Sequence, residues 1–317
     1  MDFQQLRYVV AVAETRNFTR AAERCFVVQS SLSHRIANLE REIGVKLFAR
    51  TSRRVELTPA GAAFLPAARE ALAAAERAVA DAAAAVGLVR GRLAVGLVPT
   101  TAAIDMPAAL QHFRERHSEV RISLRVGSSD ELTAQVVAGE LDVAAIGLPD
   151  GDRPRGVRVR RLARDRLVAV VPAGHAFAGR DRVDLRVLAE EIFVDFPAGS
   201  PGRAQSDRAF AAADLVRDVA FEVMSLELML RIVRQGLAIA LLPSVITGDM
   251  PGLGLATVPV VDGPHRTEYL VWSEFNPSPA TRAFLEVLDE IGDLPPDRPG
   301  GREPGDASAE PDAPDGR

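Results

Sequence analysis

The segment between residues 18 and 57 constrains the fold of this chain more than any other part. Leu32, Ile36, Leu39 and Ile43 recur with the three- and four-residue spacing that places side chains on one face of a helix. Gly44 follows them, and glycine often ends a helix in the left-handed conformation. We therefore predict a helix with one buried and one polar face that ends at Gly44.

A shorter helix precedes this one and a basic hairpin follows it. We predict Thr19 as the N-cap of the first helix and Ser30 as the N-cap of the second, with a tight turn around residues 26–28. Residues 45–57 carry arginines around a polar tip, a composition typical of a β-hairpin wing. Together these features predict a winged helix-turn-helix, which places its second helix in the major groove of DNA.

The charge distribution favours DNA binding by this segment. Residues 1–57 contain ten basic and six acidic side chains, whereas the whole chain has a formal net charge of -5. A positive field at one end would steer association with phosphates and make affinity depend on salt. The alternative is a small helical interaction domain whose basic face is only solvated.

The polar face of the second helix supplies donors for base edges and phosphates. We expect His34 and Asn38 to set base preference, and the hairpin arginines to bind phosphates. The predicted DNA-binding residues are Thr19, Arg20, Gln29, Ser30, Ser31, Ser33, His34, Arg35, Asn38, Arg50, Arg53 and Arg54.

At these positions the chain resembles the LysR-type transcriptional regulators. The likeness is carried by residues 17–23, 27–39, 44–50 and 57–61, and it extends from residue 1 to about residue 292. This chain has Ser30 where the family often has proline, Val28 where it often has serine or threonine, and His34 where arginine or glutamine is frequent. The resemblance therefore implies the fold rather than a particular target sequence.

The next segment predicts a long helix that pairs two copies of the chain. Thr58-Pro59 is a strong helix start, and small or apolar residues then recur four and three residues apart as far as Gly87. Such a heptad stripe lets two helices pack closely, and a dimer would read two half-sites. The alternative is an alanine-rich helix lying on its own domain. The predicted dimerisation residues are Leu65, Ala68, Leu72, Ala75, Val79 and Val86. The family resemblance also implies a tetramer, as a dimer of dimers.

Beyond a hinge at residues 87–91, strands alternate with helices in the pattern of an α/β fold with parallel pairing. The predicted strands are 93–98, 122–126, 143–148, 167–171, 192–196, 220–223, 238–242 and 269–272. About 200 residues exceed one compact unit, so we expect two lobes joined by crossing segments near 163–166 and 266–270. The resemblance implies the two-lobed architecture of periplasmic solute-binding proteins, with a ligand between the lobes.

The chain is thus predicted to be multidomain, an all-α winged helix-turn-helix with a long linker helix followed by a two-lobed α/β domain. The predicted domains are a DNA-binding domain at 1–58, a linker helix and hinge at 59–90, an effector-binding domain at 91–292 with lobe I at 91–164 and 268–292 and lobe II at 165–267, and a disordered acidic Pro/Gly-rich tail at 293–317.

Candidate ligand contacts lie at strand ends and helix starts, where open α/β sheets bind ligands. Hydroxyls at helix N-termini favour anions, so a small carboxylate is the expected effector, with Arg203 as charge partner and Phe196 as an apolar wall. Each hydroxyl also serves as an ordinary helix cap. The predicted effector-binding residues are Thr100, Thr101, Ser128, Ser129, Phe196, Ser200, Arg203 and Ser225. By resemblance, Thr100 and Ser128 match positions that often contact effectors in the family.

Composition disfavours an enzyme. The chain has one lysine, Lys46, and one cysteine, Cys25, both in the DNA-binding segment. A Walker A loop, a lysine Schiff base, a zinc cluster and a paired-thiol switch are therefore not expected in the α/β region. The remaining histidines show no metal-ligand spacing. We predict no catalytic residue, no metal and no cofactor.

The sequence therefore predicts a one-component transcription regulator. Its expected partners are double-stranded operator DNA, a small-molecule effector, further copies of the chain and RNA polymerase. No secretory signal or membrane-spanning run is found and the single cysteine suits a reducing compartment, so we expect a cytoplasmic protein without membrane contact. The alternative is a cytoplasmic sensor or solute-binding protein whose helical N-terminus docks to a protein partner.

Overall fold

A computed structural model describes residues 1–50, 55–248, 250–275 and 277–291, without the side chains of Arg50 and Pro251. The predicted wing tip and C-terminal tail lie outside these residues. The N-terminal region consists of α1 (Phe3–Thr15), α2 (Phe18–Arg24), α3 (Gln29–Ile43), β1 (Phe48–Arg50), β2 (Val55–Leu57) and the long α4 (Pro59–Ala84). The strands β1 and β2 pair antiparallel, so the predicted hairpin wing is present.

The two helices of the helix-turn-helix begin earlier than their predicted caps. Asn17 is the N-cap of α2, and its side chain accepts hydrogen bonds from the backbone N–H groups of Thr19 and Arg20. Val28 is the N-cap of α3 and makes no side-chain capping bond. The predictions for Thr19 and Ser30 as caps are therefore wrong, because each lies inside the first helical turn. Phe26, with a left-handed φ of 55°, forms the turn that sets the start of α3.

The recognition helix α3 is fixed by its buried stripe and by one buried carboxylate. Leu32, Ile36 and Leu39 are fully buried, as predicted. Glu40 is 4% exposed, and its Oε1 atom accepts hydrogen bonds from the backbone N–H groups of Leu47 and Phe48 at 2.9 and 3.2 Å. The Lys46 ammonium lies 2.8 Å from Oε2. Glu40 thereby ties the end of α3 to the first strand of the wing.

Packing against the wing determines how α4 begins. Thr58 caps the helix by accepting a hydrogen bond from the backbone N–H of Gly61, as predicted. A Cβ on Gly61 would lie 2.1 Å from the carbonyl oxygen of Leu47, so only glycine fits there. Ala68 is also buried within the chain, whereas Val79 and Val86 are 62% and 74% exposed. The predicted heptad stripe thus packs on its own domain at one end and faces solvent at the other.

The helix α4 stops before the last residue of that stripe. Ala85 is its C-cap, and Val86 lies in the following turn, so the helical assignment of Val86 is wrong. Gly87 and Gly91 both have positive φ, which suits the predicted hinge. The role of the stripe in dimerisation stays a prediction.

The remaining described residues form the predicted α/β fold. Its elements are β3 (Gly91–Leu97), α5 (Met106–Arg116), β4 (Val120–Val126), α6 (Ser129–Val137), β5 (Val143–Pro149), β6 (Arg158–Pro172), α7 (Leu185–Leu188), β7 (Ile192–Asp195), α8 (Pro201–Ala212), β8 (Asp218–Glu222), α9 (Leu226–Arg234), β9 (Ala240–Pro243), β10 (Leu255–Pro259), β11 (His265–Trp272) and α10 (Pro279–Ile291), with 3-10 helices at Ser244–Thr247 and Met250–Leu253. None of the described helices has the length and hydrophobicity needed to cross a bilayer.

The pairing of the strands differs in part from the prediction. As predicted, β3 pairs in parallel with β4 and β5, and β7 pairs in parallel with β8. By contrast, β11 pairs antiparallel with β5 and β6, and β6 pairs antiparallel with β9 and β10. The strand at β10 was not predicted. The pair of β6 and β11 is antiparallel because β6 leads the chain out of the first half of the domain and β11 begins where the chain has returned to that half.

The strand β6 belongs to both lobes. Up to Arg166 its residues pair with β11, and from Leu167 onward they pair with β9. We call the half with β3, β4, β5 and β11 lobe I and the half with β7 to β10 lobe II. The crossing predicted at 266–270 is misplaced, because these residues lie inside β11 and pair with β5. Residues 260–264 make the return instead.

We expect Glu40→Gln to destabilise the DNA-binding domain by about 1–3 kcal/mol, because a buried charged acceptor is lost. Burial disfavours the Glu40 carboxylate, but Lys46 and two backbone N–H groups outweigh it and hold its pKa below the usual value. A lowered folded-state pKa stabilises the fold above the unfolded-state pKa, and this stabilisation is lost as pH falls through the folded-state value. The difference from wild type, measured by urea unfolding, should therefore shrink in acid. Exposed Glu42→Gln is the matched control.

Candidate functional site

The exposed face of α3 presents three polar residues directly opposite the buried stripe. Ser30, His34 and Asn38 are spaced four residues apart, so they lie along one side of the helix. The Nδ2 and Nδ1 atoms of Asn38 and His34 are 3.3 Å apart, and Arg41 donates a hydrogen bond to Asn38 at 3.1 Å. This row forms the polar side of α3 that faces away from the buried stripe.

The other predicted DNA contacts flank this row. Gln29 donates a hydrogen bond to Ser33 at 2.8 Å, and both lie to one side of the row. Arg35 lies to the other side and forms an exposed ion pair with Asp2 at 3.2 Å. Such a pair contributes little to stability, so it leaves the guanidinium available to a phosphate. Ser31 also lies exposed on α3.

Thr19 and Arg20 lie exposed at the start of α2. Arg50 ends β1, but its side chain is not among the described ones, and Arg53 and Arg54 lie outside the described residues. The helical candidates are thus exposed or half-buried on α2 and α3, and their contacts with DNA stay a prediction, as do those of the wing arginines.

A second candidate site is the cavity between the two lobes. Five of the eight predicted effector residues line it, namely Thr100, Ser128, Ser129, Phe196 and Ser200. The other lining residues are Val98, Pro99, Gly127, Gly147, Gly202, Gln205, Met224 and Arg266. We call this space the inter-lobe cavity.

The predicted serine hydroxyls of the cavity already have partners within the chain. The Ser128 hydroxyl donates to Glu131 at 3.0 Å in a capping box. The Ser129 hydroxyl donates to the carbonyl of Gly147 at 2.8 Å, and that of Ser200 donates to the carbonyl of Pro197 at 2.7 Å. The capping alternative therefore holds for Ser128 and Ser200, while both still face the cavity.

The other three predicted effector residues do not line the cavity. Arg203 donates to Asp207 at 2.9 Å and to Glu222 at 3.2 Å, so its guanidinium is ion-paired within lobe II. Thr101 donates to the carbonyl of Val98, and Ser225 caps α9. An arginine in a Gly/Pro loop was a reasonable candidate from sequence, but nearby carboxylates turn it away from the cavity.

The charged residue of the cavity lining is Arg266, which the sequence prediction missed. It is 1% exposed, and its Nη1 and Nη2 atoms donate to the side chain and carbonyl of Thr100 at 2.7 and 2.8 Å. Nη2 also donates to Glu268 at 2.6 Å. Burial raises the pKa of the Glu268 carboxyl, although Arg266 and the N–H groups of Ala103 and Ala102 oppose the shift. The available signal was two opposite charges two residues apart, in the predicted crossing 266–270 just before the predicted strand 269–272.

The inter-lobe cavity is small. Its volume is about 30 Å³, room for one or two water molecules and far below the roughly 300 Å³ of an ordinary ligand pocket. Arg208 of α8 forms a bidentate ion pair with Asp152, which follows β5, with both N–O distances at 2.8 Å. This pair joins the two lobes beside the cavity. A molecule larger than this volume does not fit the cavity in this conformation.

Family models match both parts of the chain. Residues 3–62 match the bacterial regulatory helix-turn-helix protein of the lysR family, and residues 87–292 match the LysR substrate binding domain. This chain is a member of the LysR family of transcriptional regulators. The HTH-type transcriptional regulator IlvR of Caulobacter vibrioides is 34% identical to this LysR-family chain over 300 residues, which cover 93% of the chain and 100% of the relative.

Solved structures of full-length LysR-family proteins confirm the predicted fold. A full-length OxyR variant from Pseudomonas aeruginosa matches with a TM-score of 0.69 at 26% identity, covering 92% of this chain and 94% of that one. CbnR in complex with its target DNA matches with a TM-score of 0.64 at 26% identity, covering 92% and 100%. The curated relatives are regulators, which confirms the prediction of a regulator rather than an enzyme.

We expect Gly147→Ala to destabilise this LysR-family chain by about 1–3 kcal/mol through overpacking at the floor of the cavity. An added Cβ would lie 3.1 Å from the Nη1 atom of Arg266, which is itself held by Thr100 and cannot easily move. Gly174→Ala is the control, because a Cβ there meets no atom within 4 Å. Equal melting temperatures for the two variants would contradict this view of the cavity floor.

Proposed function

We propose that this LysR-family regulator binds operator DNA through the row Ser30, His34 and Asn38 on α3. The observation that carries the proposal is the position of this row, opposite the buried stripe and beside a wing tied to the same helix by Glu40. Asn suits bidentate recognition of adenine, and His34 supplies a second base-edge contact. Arg20, Arg35, Arg50, Arg53 and Arg54 would bind phosphates, which position the helix without reading sequence.

The chain would act as a dimer formed through the free part of α4. Its C-terminal half exposes Val79 and Ala82, spaced as the heptad pattern requires, and both remain on the surface in one copy. Pairing of two copies would place two recognition helices on two half-sites. Association into a tetramer, contact with RNA polymerase and a cytoplasmic location are further parts of this proposal, supported by the family to which the chain belongs.

The effector would bind in the inter-lobe cavity after the lobes separate. We infer a small molecule with an acidic group, because the cavity combines hydrogen-bonding side chains with one arginine and an apolar wall at Phe196. Closure of the lobes around it would change the position of α4 and with it the spacing of the recognition helices. Lobe I contacts α4 through the ion pairs of Arg69 with Glu140 and of Arg282 with Asp81.

The second candidate is a sensor that acts through a protein partner. The two functions differ in how binding responds to salt, because phosphate contacts lose affinity steeply with ionic strength while an apolar docking face does not. Fluorescence anisotropy with the DNA upstream of the chain's own gene, beside a scrambled duplex, tests this directly. Preferential binding with a steep salt slope is expected. If neither this DNA nor a genome-wide selection gives a preferred site, the result favours a sensor that acts through a protein partner.

Two substitutions should separate base recognition from phosphate binding. Asn38→Ala should reduce discrimination between operator variants by about 1–3 kcal/mol at one base pair, because a base-edge contact is lost. Arg20→Ala should weaken binding to all duplexes alike and reduce the salt slope by about 1. The measurement is anisotropy on a panel of single-base operator variants at several salt concentrations. If both variants change affinity and discrimination in the same way, the assignment of roles is wrong.

A further inference from the structure

The recognition helix α3 begins without a capping side chain. In α1, α2 and α4 to α9 the N-cap residue is Asp, Asn, Ser or Thr, and its side chain accepts a hydrogen bond from a backbone N–H of the first turn. The N-cap of α3 is Val28, which makes no such bond. Valine is among the least favourable residues at an N-cap, so α3 lacks a stabilising interaction that these other helices have.

The backbone holds Val28 in place and turns its side chain outward. The preceding Val27 donates its N–H to the carbonyl of Ala22 at 3.0 Å and packs against the core of the DNA-binding domain. Val28 follows with an extended backbone, φ -75° and ψ 142°, so its side chain points the other way and is 69% exposed. Its carbonyl accepts hydrogen bonds from the N–H groups of Ser31 and Leu32 at 3.1 and 3.2 Å. Because a β-branched side chain has few rotamers, Val28 presents a fixed apolar surface.

Single exposed apolar residues are common on protein surfaces, and it is the position of Val28 that gives this one a role. Val28 lies two residues before Ser30, at the end of α3 where the polar row begins. The N-terminal residues of a recognition helix are the ones that contact base edges in the major groove. Phe26 in the same turn is more exposed, but it lines a groove together with Glu14 of α1 and Arg69 of α4.

The chemistry of valine limits what this position can recognise. Its methyl groups cannot bind a phosphate or form a hydrogen bond with a base edge. In the major groove, the apolar group that a base pair presents is the 5-methyl group of thymine, and small apolar side chains contact it. An apolar side chain at this end of α3 therefore fits a thymine.

We propose that Val28 is a specificity-determining residue, which contacts the 5-methyl group of one thymine in the operator half-site. This inference rests on the proposed binding of operator DNA by α3, and it adds an apolar contact to the hydrogen-bonding row on that helix. The chain gives up a helix cap in exchange for this contact. Serine at the same position would cap α3 and lose the contact with the methyl group.

The experiment replaces thymine by deoxyuridine, which keeps the base pair with adenine and the O4 acceptor but lacks the 5-methyl group. The full chain first selects duplexes from a random library, and each thymine of the preferred duplex is then replaced in turn. Affinity is measured by fluorescence anisotropy at constant salt. For wild type we expect a loss of roughly fourfold at one thymine of a half-site, the effect of one buried methyl group.

The Val28→Ser variant tests the assignment by a double-mutant cycle with the same two duplexes. It should bind the thymine and the uracil duplex with equal affinity, because the side chain that contacts the methyl group is gone. The matched control is Val45→Ser. Val45 is 47% exposed and follows the opposite end of α3, so this variant should keep the wild-type loss on uracil.

Thermal unfolding separates recognition from a role in folding. Val28→Ser should melt at least as high as wild type, because serine supplies the missing cap. A lower melting temperature would show that valine is present for the stability of the domain, which contradicts the exchange of a cap for a DNA contact.

The outcomes also distinguish this inference from the proposed function. If the selection enriches no sequence, operator binding fails and the role of Val28 fails with it. If a sequence is enriched but no thymine in it responds to uracil, operator binding stands and the methyl contact is wrong. The assignment to Val28 is likewise wrong if Val28→Ser keeps the response to uracil or if Val45→Ser loses it.

Discussion

The pairing of β11 with both β5 and β6 determines the arrangement of the effector domain. Every residue from Arg266 to Trp272 pairs with β5 on one side, and the same strand pairs with the first half of β6 on the other. β11 thereby holds β5 and β6 together within lobe I. Because β6 continues into lobe II, the end of its pairing with β11 marks the point at which the chain leaves lobe I. It also places Arg266 at the edge of lobe I, where the inter-lobe cavity lies.

At the DNA-binding end, several elements likewise contact one short segment, the start of the wing. Glu40 binds the N–H groups of Leu47 and Phe48, while the carbonyl of Leu47 lies against Gly61. The recognition helix, the wing and α4 therefore meet around Leu47. In the proposed mechanism, a displacement of α4 would reach the recognition helix through these contacts.

Periodicity predicted the elements of this chain well, and local chemistry predicted their ends less well. The buried stripe of α3 follows from the spacing of its apolar residues. The cap at Thr58 follows from the Thr-Pro pair that begins α4. Asn17 and Thr19 are both good caps, so only the structure decides between them. The strand β10 was missed because its pairing partner, β6, lies more than eighty residues earlier in the chain, and no local pattern reports such a pairing.

Sequence also predicted the residues of the cavity only in part. Sequence identified hydroxyls at helix starts, and five predicted residues do line the cavity, yet Ser128, Ser129 and Ser200 donate their hydroxyl protons to partners in the chain. A helix cap and a ligand contact look alike in sequence because both need a short polar side chain at the same position. What separates them is unused hydrogen-bonding capacity. Among the fully buried side-chain atoms of the described residues that line this cavity, the one without a hydrogen-bond partner is the Nε of Arg266, a strand residue which no capping pattern marks.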